Sequence, residues 1–331
     1  MKYIEAINAS LDFVLKTEPK SILLGEDILD PYGGAFRATK GLSTKYPSRI
    51  ITTPICEASI VGISVGLALR GYLAIAEIMF GDFITLAMDQ IVNHASKFRA
   101  MYNGQVHVGM IVRTPMGGGR GYGPTHSQSL EKILLGIPYI DVVAPSLFHD
   151  ILSLYLNGIA RKRPIFIIEN KILYPEELFL CSGGGLFMAI VKDELGYHNI
   201  LVKNYRVGIP DVSIVTYGGV SRNLLNVMKN LADEEIRISA IFVGCISPLS
   251  QATKKSINDE ASISGNLLII EDGSIQFGWT AEVSANIEHK NVKVRRLGAM
   301  HGIIPAAKEL ERQVLVSENK IQEQVLEMVA S

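Results

Sequence analysis

Short apolar runs rich in β-branched residues alternate along this chain with longer segments of helical periodicity, and this alternation constrains the fold most tightly. A helical segment near residues 3–16 precedes strand candidates at Ile22-Leu23-Leu24, 74–79, 108–113, 141–144 and 165–169. Helix candidates over 57–70, 84–101, 128–135 and 147–161 lie between these strands. Strands separated by helices return through crossover connections, so the pattern predicts an α/β fold with a mainly parallel sheet sandwiched by helices. A second series follows, with strands near 212–217, 238–243, 267–271 and 292–297, helices near 221–231 and 278–288, and a terminal helix near 318–329.

With 331 residues the chain exceeds the usual size of one domain. The expected division is a first domain over 1–177 and a smaller α/β domain over 207–331. Residues 178–206 fit neither series, because the Gly-rich run after Cys181 leads into the apolar stretch Leu186-Phe187-Met188-Ala189-Ile190-Val191. They are expected to be a connecting excursion, either a linker pinned to the surface or a contact with another chain.

Composition excludes several function classes. With 32 basic against 33 acidic residues, the net charge of −1 gives no general attraction to nucleic acid or to an anionic membrane. Cys56, Cys181 and Cys245 are far apart and lack metal or CxxC spacing, so they read as reduced thiols of a cytoplasmic protein. The first residues carry charge instead of an apolar signal core. No apolar stretch approaches the roughly 18 residues that a membrane span requires.

Two motifs carry chemical information. Glu57 follows Thr53-Pro54-Ile55-Cys56 and opens a helix, at the kind of strand end where open parallel sheets bind ligands. An acid there can simply complement the helix dipole. Small neighbours at Ala58, Ser59 and Gly62 also leave room for a ring beside it, and burial would raise its pKa toward a value suited to proton transfer. Phe80 and Phe83 stand at i, i+3 spacing, as core residues or as a ligand platform. Asp89, Gln90 and Asn93 read as structural hydrogen-bonding groups.

The run Arg113 to His126 contains glycines at 117, 118, 119, 121 and 123. It lacks the Gly-Lys-Ser/Thr ending of a nucleotide-binding loop, so the glycines instead let backbone pass close to a ligand or another subunit. His126, followed by Ser127-Gln128-Ser129, is either part of a helix-capping neighbourhood or a proton-handling group. No residue is assigned as a metal ligand.

In order, these pieces resemble the β subunit of the 2-oxo acid dehydrogenase E1 component, of the pyruvate, branched-chain or acetoin type, within the transketolase-like thiamin diphosphate superfamily. The landmarks in the first domain are Gly25-Glu26-Asp27, Tyr32-Gly33-Gly34, Thr39-Lys40-Gly41-Leu42, Thr53 to Glu57, Asp89 to Asn93, Gly123 to Ser129 and Val143-Ala144-Pro145-Ser146. The second domain matches more thinly, through Ile214 to Gly218, Ile270-Glu271-Asp272 with Gly278 and Ala281-Glu282, and Pro305-Ala306-Ala307 with Leu310-Glu311. The resemblance implies a pyrimidine-binding domain followed by a transketolase C-terminal-like domain. It implies that Glu57 bonds N1′ of the aminopyrimidine of thiamin diphosphate and that Phe80 and Phe83 lie at aromatic positions against that ring. It also implies that His126 acts near the substrate, a 2-oxo acid whose acyl group passes to a lipoyl domain or another carrier.

The family's Gly-Asp-Gly…Asn motif for magnesium and diphosphate is missing, since neither Gly81-Asp82-Phe83 nor Glu271-Asp272-Gly273 fits it. That half of the site is therefore expected from an α subunit in a heterotetramer of two α and two β chains. Two departures stand out. Where family members often hold a structural potassium ion, this chain has Gly158-Ile159-Ala160-Arg161-Lys162-Arg163, whose adjacent cations argue against bound potassium and put Arg161 in its place. Residues 178–206 also differ from the usual connection. Alternatives are an E1-like subunit of a specialised biosynthetic pathway delivering acyl groups to a carrier protein, the C-terminal half of a split transketolase, and a noncatalytic scaffold.

Overall fold

The computed structural model describes residues 1–330. In the first domain the elements run α1 (Tyr3–Thr17), β1 (Ser21–Gly25), α2 (Leu42–Lys45), β2 (Ile50–Thr52), α3 (Glu57–Leu69), β3 (Leu73–Glu77), α4 (Phe98–Met101), β4 (Met110–Met116), β5 (Asp141–Val143), α5 (Ile151–Ala160) and β6 (Ile165–Asn170). The second continues with β7 (Phe187–Val191), β8 (Asn199–Lys203), β9 (Val212–Thr216), α6 (Val220–Asp233), β10 (Ile238–Phe242), β11 (Cys245–Ser247), α7 (Gln251–Ser264), β12 (Asn266–Ser274), α8 (Trp279–Ala285), β13 (Lys293–Ala299), α9 (Lys308–Val314) and α10 (Glu318–Val329).

The first sheet has seven strands in the order β11-β5-β6-β4-β3-β1-β2, and the second has six in the order β13-β12-β9-β10-β8-β7. Every neighbour pair among β1 to β6 in the first sheet is parallel. The central strands β4 and β6 are buried along their whole length, as strands covered on both faces must be, and this explains their nearly unbroken apolar sequence. β11 belongs in sequence to the second series but pairs antiparallel with β5, closing one edge of the first sheet. Trp279 of α8 reinforces this join, being buried and donating its indole N–H to the Ile246 carbonyl at 3.0 Å.

Three expectations need correction. Residues 178–206 contain more than a connection: β7 and β8 form a hairpin, and β8 pairs antiparallel with β10. The open edge of β10 supplies backbone partners that a surface linker would lack. The helix expected over 128–135 shrinks to one 3₁₀ turn, Glu131–Ile133. The backbone just before it is claimed from outside, for Gln128 donates its N–H to Asp82 and accepts from the N–H of Gly117. The long helix expected over 84–101 is split into a 3₁₀ segment at Gly81–Ala87, a π-helical stretch at Gln90–Ala95 and the short α4. Local side-chain bonds compete there, such as Thr85 Oγ1 to the Asp82 carbonyl at 3.3 Å.

Helix α7 was not anticipated. Its termini are nonetheless written in the sequence, because the Ser250 side chain accepts the Thr253 N–H and Gly265 ends the helix in the left-handed region. It buries only Thr253, Ile257, Asn258 and Ala261, an apolar stripe too thin to stand out. Among the described residues no helix is long and apolar enough to cross a membrane.

Candidate active site

The carboxyl ends of β1, β2, β3, β4 and β6 deliver the site residues in turn: Glu26, Glu57, the segment Phe80–Phe83, the glycine-rich loop ending at His126, and Lys171. This is the edge at which open parallel sheets bind ligands.

Glu57 is the first residue of α3, only 4 % exposed, and its carboxyl makes no hydrogen bond within the described residues. Beside it lies Glu26, 2 % exposed, whose Oε1 is buried without a partner. Burial, reinforced by the nearby charge of Glu57, pushes the Glu26 carboxyl up to about 7. Neither carboxyl pairs with a cation among the described residues, so Glu26 readily keeps its proton near neutral pH.

The second half of the site is aromatic. The His126 ring meets Phe80 edge-on at 4.8 Å between centroids and Phe83 at 5.2 Å. Its Nδ1 lies 2.9 Å from the Thr125 hydroxyl, and Nε2 has no partner within the described residues. Phe80 packs further against Phe36 and Tyr122, and the Arg120 guanidinium covers the rings of Phe36 and Tyr122.

The loop that carries His126 is held by neighbouring elements. Asp82 Oδ1 accepts both the backbone N–H and the side-chain amide of Gln128, each at 3.0 Å. Glu311 of α9 accepts the N–H groups of Gly119 and Gly121 at 2.8 and 3.1 Å, so the second domain grips the loop directly. Gly117 needs its lack of a side chain: its φ is +89°, and a Cβ there would lie 2.6 Å from the Asn170 amide nitrogen.

The structure therefore brings Phe80, Phe83 and His126 into one cluster, while Glu57 stands apart with Glu26. No hydrogen bond or ring contact joins the two groups, although α3, which Glu57 opens, packs against the 3₁₀ segment that carries Phe83. A ligand touching both would lie across the sheet's carboxyl edge.

Sequence reasoning gave no role to Glu26, Lys171 or Glu311. Glu26 carried a signal in its place straight after a predicted strand. Glu311 carried one only through the Leu310-Glu311 landmark of the resemblance, and Lys171 carried none, because its burial depends on packing between distant segments. Asp82, Gln128 and Asp89 are placed as structural hydrogen-bonding groups; Asp89 accepts from Asn93 at 2.7 Å.

The stretch 158–163 has its own anion. Asp141 is fully buried and receives Arg161, Arg163 and the Tyr197 hydroxyl. Side-chain cations thus neutralise it where Arg161 was expected to supply charge.

The chain matches the transketolase pyrimidine-binding domain over residues 1–177 and the transketolase C-terminal domain over 204–321. It is 33% identical over 291 residues to the acetoin:2,6-dichlorophenolindophenol oxidoreductase subunit beta of Cupriavidus necator, covering 85% of this chain and 82% of that one. It is 32% identical over 320 residues to the pyruvate dehydrogenase E1 component subunit beta-1, mitochondrial, of Arabidopsis thaliana, covering 94% and 84%. With the 2-oxoisovalerate dehydrogenase subunit beta of Bacillus subtilis it shares 28% identity over 99% of this chain and 98% of that one. Among solved structures it superposes on a split gene transketolase, described as an inactive beta4 tetramer, with a TM-score of 0.74 at 16% identity over 98% and 97% of the two chains, a likeness of fold alone. The chain belongs to the family of 2-oxo acid dehydrogenase E1 β subunits, built from transketolase-type pyrimidine-binding and C-terminal domains.

Proposed function

We propose that this chain is the β subunit of a thiamin diphosphate-dependent E1-type enzyme that decarboxylates a 2-oxo acid and passes the acyl group to a lipoyl domain or another acyl carrier. The observation that carries the reading is the Glu57 carboxyl, 4 % exposed and without a hydrogen-bond partner in its own chain. Next to it the Oε1 atom of Glu26 is buried without a partner, and an acceptor left so costs about 1–3 kcal/mol. N1′ of an aminopyrimidine would share a proton with the Glu57 carboxyl and so supply a partner at this place.

When bound, thiamin diphosphate supplies the nucleophilic carbon and the electron sink that decarboxylation of a 2-oxo acid requires. The chain's own residues do the rest. Glu57 would hold the pyrimidine through a hydrogen bond, and Glu26 beside it, raised to about 7, would keep a proton within the site. Phe80 and Phe83 form the apolar wall that excludes water and sets the His126 ring edge-on. His126 Nε2, without a partner among the described residues, would hydrogen-bond a carboxylate or developing oxyanion of the substrate and transfer a proton.

The diphosphate and its Mg²⁺ are assigned to an α-type partner, because the sequence holds no Gly-Asp-Gly…Asn motif. Native mass spectrometry of the tagged chain from its own cells tests this. The expected result is a heterotetramer whose second chain carries that motif and which releases carbon dioxide from a 2-oxo acid. A homo-oligomer without such a chain, inactive toward every 2-oxo acid tried, overturns the reading.

A further inference from the structure

We propose that Lys171 is a positioning residue of the site: its buried ammonium holds the main chain of His126 and so fixes the imidazole between Phe80 and Phe83. The importance of that imidazole rests on the function proposed above; the geometry of the contact does not.

Lys171 follows β6 directly, opens the 3₁₀ turn Lys171–Leu173, and is fully buried. Its Nζ donates to the His126 carbonyl oxygen at 2.8 Å and lies 5.4 Å from the centroid of the Phe80 ring. One ammonium thus touches the backbone of the histidine and the ring that meets the histidine edge-on. No carboxylate lies within 4 Å of it among the described residues, although Asp82 and Glu311 attract it from farther off and Arg120 opposes them. Burial outweighs this attraction and lowers the amine to about 8.

A buried, unpaired ammonium is an expensive way to fill space, and an apolar side chain of similar length would do so at lower cost. What lysine adds is a charge-assisted donor to one carbonyl on a loop of many glycines. Glu311 holds that loop at Gly119 and Gly121, and Asp82 holds it at Gln128. Between those anchors the His126 carbonyl has Lys171 as its partner. With the carbonyl fixed and Nδ1 against the Thr125 hydroxyl, Nε2 is left without a partner among the described residues.

The full-length chain with ring-¹³C histidine offers a direct readout, since rings stacked edge-on against Phe80 and Phe83 carry a ring-current displacement. The protein has seven histidines, and the His126 resonance is identified by its loss in His126→Asn. In Lys171→Met that resonance is expected to lose most of its displacement while the other six stay in place; Lys171→Arg, still a cation and donor, retains part of it. The wild-type resonance should also show an inflection near pH 8 that is missing from both variants. In the enzyme assembled with its partner, Lys171→Met should lower kcat about tenfold to a hundredfold.

A His126 resonance unchanged in Lys171→Met overturns the proposal, whatever the activity. If Lys171→Met does not fold, Lys171→Gln decides it: its amide, uncharged and one atom shorter, does not replace the ammonium at the His126 carbonyl, so an unchanged resonance overturns the proposal in the same way. A wild-type assembly that decarboxylates no 2-oxo acid sinks the proposed function and leaves the resonance experiment standing.

Discussion

The first sheet treats buried charge in opposite ways at two neighbouring places. At its centre Arg113 of β4, fully buried, pairs with Glu77 of β3 and with Glu169 of β6, and Glu169 also accepts the Tyr174 hydroxyl at 2.8 Å. Burial raises the Glu77 carboxyl, and the Arg113 charge opposes that rise. Gly25 is in register with Glu77, so Glu26 sits only one residue beyond this balanced network. Yet among the described residues Glu26 and Glu57 pair with no cation, and Glu26 leaves its Oε1 buried without a partner. The fold can satisfy a buried carboxylate when stability alone is at stake. In the function proposed above, the uncompensated pair is the place for the ligand.

Arg113→Met attacks the balanced half and should have the largest effect. It strands two buried carboxylates, and breaking a buried pair in this way costs about 3–5 kcal/mol. A urea denaturation midpoint that stays in place would show that the network contributes nothing. Glu57→Gln attacks the other half and should do the reverse: folding is kept or improved, while 2-oxo acid decarboxylation with the partner chain falls about 10²–10⁴-fold. Full activity in this variant would sink the assignment, since glutamine cannot cycle a proton. A loss of stability matching that of Arg113→Met would place Glu57 in the structural network instead.

The same contrast explains what the sequence revealed. Most central strands were legible because two-face burial writes itself as unbroken apolar runs, as in Ile165-Phe166-Ile167-Ile168 of β6. Glu57 and His126 stood out as candidates because they interrupt that pattern at strand ends among small residues. The hairpin β7–β8 and the return of β11 to the first sheet were not, since an edge strand is defined by a neighbour distant in the chain. Lys171 was hidden for the same reason: only the folded chain shows that its amine reaches the His126 carbonyl instead of water. Helix 128–135 failed because outside partners took the backbone groups that local propensity assigned to a helix.

Glu26→Gln sharpens the comparison through pH. With Glu26 raised to about 7 from an ordinary 4.5, the folded chain keeps a proton that the unfolded chain has already released. Glu26 therefore costs nothing below about pH 4.5, costs more as pH rises, and reaches its full cost above about pH 7. Its replacement should leave acid stability unchanged and raise stability at pH 8 by on the order of 1–3 kcal/mol, after allowing for some remaining solvation. Urea titrations at pH 4.5 and pH 8 measure the difference. Equal shifts at both values would mean that Glu26 is solvated and uncoupled from Glu57.

An effect smaller than that of Arg113→Met is expected at Arg161, where a buried acid has more than one donor. Asp141 keeps Arg163 at 3.0 Å and the Tyr197 hydroxyl at 2.9 Å when Arg161 is lost. Arg161→Gln should thus cost about 1.5–3 kcal/mol, the worth of one hydrogen bond to a charged group, less than the cost of stranding an acid. If side-chain cations carry the charge in this region, exchanging sodium for potassium should leave the wild-type melting temperature unchanged. The variant, one positive charge short beside a fully buried carboxylate, is where an added monovalent cation could act by mass action. A potassium-specific rise in the wild-type chain would show that Asp141 and its arginines do not replace an ion. This region would then join the unsatisfied carboxylates as a place that awaits a ligand.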